Sequence, residues 1–269
     1  MFRHVRLVGS GLALAVSVAV AAPADAASPA AGLLSHRALY RLTLADSDSG
    51  SSLTRVRGGL VLEWRAACDG WLSQQRLGFV AEATEGPGFA YDVRFSSWES
   101  LDRTQLRFNV RSFDGTTKEE EFRGSARLGA PGAEGVVNYT LPKPEEVPLP
   151  AGTIFPTEHV ADLIAAARAG EHILSRQVFD GSGEDALTRA TAVIGQAKTV
   201  TTPDGASETA WPISLAYFPL EGDDALPQFE ISFDLSQVGV MSSVRLDYGE
   251  FKLDAALERL ETLPAPDCG

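Results

Sequence analysis

Cys68 and Cys268 are the only thiols in the chain, one in its first third and the other one residue from its end. The chemistry open to them depends on compartment: an oxidising one turns such a pair into a disulfide, a reducing one leaves two thiols. The first residues bear on that choice. Met1-Phe-Arg-His-Val-Arg6 is a short basic segment, an apolar run extends from Leu7 to Ala22, and Ala24-Asp25-Ala26 has the small-x-small form of a cleavage site. We therefore expect residues 1–26 to be a cleaved signal peptide. Residues 27–269 are then a single mature domain, exported and stapled between its first third and its last residues. The apolar run is diluted by Gly and Ser and falls short of the roughly 20 residues of a membrane span. Arg3 and Arg6 are not adjacent, and no cysteine follows the cleavage site, so neither a twin-arginine signal nor a lipid anchor is expected.

The other chemistry-bearing residues do not assemble into a reaction. His36, His159 and His172 survive cleavage, and Glu158-His159 and Glu171-His172 flank opposite ends of one segment. Neither has the compact three- or four-ligand spacing of a zinc site. Asp180-Gly-Ser-Gly-Glu-Asp185 opens like a calcium loop, but Asp185 stands where the loop needs Gly and Thr191 where it needs a bidentate Glu. A turn between strands is expected there. The mature chain holds no GxSxG or SxxK motif and no phosphate loop. With 36 acidic residues, no carboxylate pair stands out for acid–base work. We expect no catalytic, cofactor-binding or metal residues, and no enzyme. The formal charge of −13 becomes −14 once Arg3, Arg6 and Asp25 leave with the signal. That charge argues against nucleic acid and against anionic lipid headgroups as partners.

The elements that must hold these residues are mostly strands. Ala38, Tyr40, Leu42 and Leu44 alternate with Arg37, Arg41 and Thr43, and Leu106, Phe108 and Val110 alternate with Gln105, Arg107 and Asn109. The same period of two recurs around Leu60–Trp64, Trp71–Phe79 and Phe89–Phe95, and again in segments from Ile173 to Leu257. Gly-, Pro- and Asp-rich turns such as Glu85-Gly-Pro-Gly88 and Pro203-Asp-Gly205 separate them. About a dozen strands, many of ten residues or so, suit one large antiparallel and highly curved sheet. One helix is expected near 157–169, with Thr157 as its cap and Gly170 as its left-handed stop. Its stripe of Val160, Leu163, Ile164 and Ala167 needs a partner surface, which the concave face of the sheet provides. Leu141 to Pro150 holds four prolines and is expected to be an extended connector.

The order of short motifs resembles the cell-envelope integrity EipB family of Gram-negative bacteria. The resemblance rests on Leu34-Ser-His-Arg-Ala-Leu-Tyr-Arg-Leu-Thr-Leu44, Gly58-Gly-Leu-Val-Leu-Glu-Trp64, Cys68-Asp-Gly-Trp71 and Ser97-Trp-Glu99. It continues through Leu149-Pro-Ala-Gly-Thr-Ile-Phe-Pro-Thr-Glu-His159, Ala166-Ala-Arg-Ala-Gly170 and Val178-Phe-Asp-Gly181. Ser35 and Ser97 stand where the family often has Pro and Thr. The resemblance implies a periplasmic, non-enzymatic protein with a spiral-like, broken-barrel sheet and a disulfide between Cys68 and Cys268. It also implies a role in envelope integrity under stress. The expected partner is an unidentified periplasmic protein or an envelope lipid, with the protein not integral to the membrane. The alternative is a periplasmic carrier of lipid or lipoprotein with an apolar groove.

Overall fold

A computed structural model describes residues 32–48, 52–220 and 226–268; the signal segment lies outside the described residues. The first half of the sheet is β1 (His36–Ser47), β2 (Leu53–Ala66), β3 (Gly70–Ala83), β4 (Phe89–Ser100), β5 (Gln105–Asp114), β6 (Thr117–Leu128), β7 (Gly135–Leu141) and β8 (Glu145–Leu149). Then come β9 (Thr153–Ile154) and α1 (Pro156–Ala169). The remainder is β10 (Ile173–Phe179), β11 (Leu187–Ile194), β12 (Lys198–Thr201), β13 (Ser207–Pro219), β14 (Phe229–Ser236), β15 (Met241–Asp247) and β16 (Phe251–Thr262).

All sixteen strands belong to one sheet, ordered β8-β7-β6-β5-β4-β3-β2-β1-β16-β15-β14-β13-β11-β10-β9, with β12 on β13. The two edges, β8 and β9, are neighbours in sequence, separated only by Pro150-Ala-Gly152. So short a link brings the ends of the sheet together, and the sheet curls into a nearly closed barrel. Strand count exceeds the expected dozen because β7, β8, β9 and β12 were not apparent from alternation. Three of them have five residues or fewer, too short to show a period. Pro148 lies in β8, and the edge position there is one a residue without an N–H can occupy.

Alternation became inside and outside. Ala38, Tyr40 and Leu42 are fully buried, while Arg37 and Arg41 are exposed and pair with Glu63 and Glu258 on neighbouring strands. One core cluster joins Leu163, Ile164, Ala166 and Ala167 of α1 to Trp64 and Trp71 on one side and Ile213 and Leu235 on the other. The helix therefore fills the concavity instead of lying on it. A second cluster, around Leu106, Phe108, Phe122, Phe155 and Phe179, packs beneath β5 to β7.

The start of α1 corrects the expected cap. Phe155 is the extended residue before the helix and supplies no side-chain cap, Pro156 opens the first turn, and Thr157 already lies inside it. The cap comes from β4: the Glu99 carboxylate accepts the Thr157 N–H at 2.9 Å and the Thr157 hydroxyl at 2.8 Å. Such a long-range partner has no local sequence signature. At the other end Gly170 adopts φ 77°, its N–H donates to the Ala167 carbonyl and the Glu171 N–H donates to that of Ala166.

Candidate functional site

Two polar regions remain once the cores are accounted for. The first surrounds the ends of α1. Arg103 pairs with Glu158 at 2.8 Å and Arg176 with Asp162 at 2.6 Å, fastening the helix to the sheet. Burial pushes the Glu99 carboxyl up to about 7; the bonds from Thr157 oppose the rise and the Glu158 charge adds to it. Burial also pushes His159 down to about 4, and its Nε2 has no hydrogen-bond partner. His36 is fully buried, donates its Nδ1–H to the Leu34 carbonyl at 2.8 Å and has its pKa lowered, chiefly by burial. His172 contacts the Ile194 carbonyl at 3.2 Å. Among the described residues no three His, Cys, Asp or Glu side chains converge as a metal ion requires. Asp180 is held in the β10–β11 turn, where it accepts the Ser182 N–H at 2.8 Å and its carboxyl is raised by burial. This region locks the helix in place and shows no reacting pair.

The second region lies on the outer face of β3 to β7. Direct cross-strand partners form two rows: Leu72, Trp98, Arg107, Ser125 and Asn138 in one, and Gln74, Ser96, Asn109 and Arg123 in the next. On this outer face a hollow of about 600 Å³ lies over both rows. It shares Gln74, Ser96 and Asn109 with a hollow of about 340 Å³ that reaches Arg76, Arg94 and Arg111. On the other side it shares Arg107, Ser125 and Asn138 with one of about 290 Å³ that reaches Arg127. Together they make one trough across β3 to β7 that also touches Val61 and Glu63 of β2.

Six arginines line this trough in an acidic chain. Asp92 engages Arg76 and Arg94, and Glu121 engages Arg111 and Arg123. Arg107 and Arg127 make no ion pair among the described residues. Instead the Arg107 guanidinium lies 4.7 Å from the Trp98 ring centre, a cation–π contact that fixes its direction. Trp98 is fixed in turn by the β2–β3 turn: its indole N–H donates to Asp69 at 3.3 Å. A Cβ on Gly70 would fall 2.6 Å from the same indole nitrogen, so only glycine admits the ring there. Asn109 Oδ1, between the hollows, is buried without a hydrogen-bond partner.

Cys68 sits in the turn that holds Trp98, and the structure joins it to Cys268 with a Cα–Cα distance of 5.5 Å. The bond ties the tail after β16 to the turn between β2 and β3. The trough itself was missed by sequence reasoning. Its signal was a second alternation, Arg107-x-Asn109-x-Arg111 on β5 and Arg123-x-Ser125-x-Arg127 on β6, which becomes a site only when register aligns the strands.

Fold and site define a class: a nearly closed antiparallel barrel plugged by one helix, stapled near its plugged end, with a basic trough outside. The comparisons give its family. A model of the EipB-like family matches residues 27–264, and the chain belongs to that family. It is 31% identical to the cell envelope integrity protein EipB of Brucella abortus (strain 2308), over 97% of this chain and 95% of that one. A crystal structure of a β-barrel-like protein of Brucella abortus, described as a domain of unknown function, matches it with a TM-score of 0.79. That match is 30% identical and covers 87% of this chain and 99% of the other.

Proposed function

We propose that this is a periplasmic, non-enzymatic protein that supports cell-envelope integrity by holding an envelope component in the trough of β3 to β7. Family membership and the Brucella relative, a cell envelope integrity protein, support the integrity role. The observation that carries the binding role is the pair Arg107 and Arg127, two cations without carboxylate partners among the described residues, in a chain of net charge −13. A chain that builds such a surface against its own charge gains a place for an anion.

The test is complementation. In a deletion strain, the wild-type gene should restore resistance to detergents and cell-wall antibiotics, whereas a folded Arg107→Ala/Arg127→Ala variant should not. Full rescue by that variant would remove the trough from the function.

A second reading, carriage of lipid or lipoprotein, rests on a different observation. At the strand ends away from α1, an aromatic chain runs along the inner side from Phe89 through Phe79, Phe251, Tyr248 and Phe229 to Tyr217, with ring centres 5.1–6.5 Å apart. Phe89 and Tyr248 are about 40% exposed. An acyl chain entering past this belt would have to displace the core that α1 fills. Native mass spectrometry of protein taken from its own periplasm distinguishes the readings, since a carrier brings its lipid along.

A further inference from the structure

We infer that the ligand of this trough is an acidic glycan strand, a polysaccharide with carboxylate or phosphate groups among hydroxyl- and amide-bearing sugars. The inference rests on the binding reading above and names its ligand class. Three features of the site decide it.

The first is length. The rows from Leu72 to Asn138 cross five strands, about 20 Å at the usual spacing between strands. A single ion or monosaccharide fills a fraction of that; a short oligosaccharide fills it. Its path runs perpendicular to the strands.

The second is the order of polar groups. Guanidinium forks at Arg107 and Arg127 match carboxylate or phosphate oxygens. Between and beside them stand Gln74, Asn109, Ser125 and Asn138, neutral groups that both donate and accept. The buried Asn109 Oδ1 is an acceptor in want of a donor. A bare anion has no hydrogen to give it, whereas a sugar hydroxyl or acetamido N–H does.

The third is what the trough withholds. β3 to β7 are paired on both sides, so no free backbone edge is offered for a peptide to extend the sheet. The Arg107 guanidinium lies over the Trp98 ring and takes up the face on which a nucleobase would stack. Leu72 and Val136, with Val61 at the far end, are the scattered aliphatic side chains of the trough among the described residues, too little for an acyl chain.

The experiment uses the mature, oxidised protein with three probes. Murein fragments carry carboxylates, a deacylated lipopolysaccharide oligosaccharide carries phosphates, and a neutral chito-oligosaccharide carries neither. Binding is read by calorimetry at low and moderate salt. At least one acidic probe should bind, more weakly as salt rises, and the neutral one should not. Which acidic probe binds identifies the source of the anion. Arg107→Ala/Arg127→Ala should weaken binding by roughly tenfold or more, the loss of a charge-assisted contact. Asn109→Ala should weaken it by a smaller factor. Unchanged melting temperatures of both variants would show that the fold is kept. Failure of every acidic glycan to bind, or binding indifferent to Arg107 and Arg127, overturns the glycan. So does capture of a peptide or lipid at the same residues. If the arginine variant still fails to complement the deletion, the binding reading survives that loss.

Discussion

Arg107 and Phe108 are neighbours on β5 that serve opposite faces of one sheet. Phe108 is 3% exposed and packs edge-on against Tyr139 and Phe179, at 5.5 and 5.6 Å. Even the Gly181 turn leans on it so closely, at φ 73°, that a side chain there would meet the ring. Arg107 is exposed, stacked on Trp98 and without a carboxylate. On the inner face every neighbour is committed to the fold. On the outer face four arginines are paired with Asp92 and Glu121, while Arg107 and Arg127 are positioned without an ion pair among the described residues. The difference teaches where to separate stability from function: along β3 to β7, one residue is enough.

The staple tests that separation at its largest scale. In the chain-entropy account a disulfide closing a loop of about 200 residues contributes on the order of 5 kcal/mol. Cys68→Ser or Cys268→Ser should therefore lower the melting temperature steeply, and reductant should do the same to the wild type. Because Asp69, beside Cys68, holds Trp98, ligand affinity should fall as well. Equal melting of oxidised and reduced protein would end the idea of a stabilising staple.

Phe108→Ala should come next, costing about 3–5 kcal/mol in urea unfolding through the cavity it leaves. A cost below 1 kcal/mol would show that the second core is dispensable.

Glu99 and His159 give an effect visible mainly in its pH dependence. The Glu99 carboxyl is raised to about 7, so the folded state holds its proton longer than the unfolded one. Its contribution is full below the unfolded value and is lost as pH rises through about 7. His159 is lowered to about 4 and acts in the opposite sense. Its contribution is full above the unfolded value near 6.5 and is lost as pH falls towards 4. The two slopes oppose each other between pH 4.5 and 6.5. Glu99→Gln should remove one of them, so that stability falls more steeply on acidification than in the wild type. Identical pH profiles by thermal melting would count against the buried carboxyl.

The smallest effect on stability belongs to Arg107→Ala, within roughly 0.5–1 kcal/mol, the size of an exposed cation–π contact. A loss as large as that of Phe108→Ala would break the comparison, because the outer face would then be part of the core.

The helix and its stop at Gly170 were legible because capping glycines and an apolar stripe are local signals. The inner faces of β1 and β5 were legible because burial follows the two-residue period of a strand. The Glu99 cap was not, since the carboxylate lies 58 positions from Thr157. Nor were the edge strands, β8 hidden by Pro148 and its brevity and β9 by being two residues long. The EipB-like resemblance was visible in short ordered motifs, and it said nothing about the outer arginines.

By itself the sequence determined most of the core and the character of the two faces of the long strands, and it marked the two cysteines as a candidate pair. These depend on residue type at fixed local spacing, which a chain carries in any conformation. Only the tertiary structure decided that Leu72, Trp98, Arg107, Ser125 and Asn138 form a single row. Register joins residues that are far apart in sequence, and it is set by the packing of the opposite face. The trough is thus written on one side of the sheet by the fit of the other.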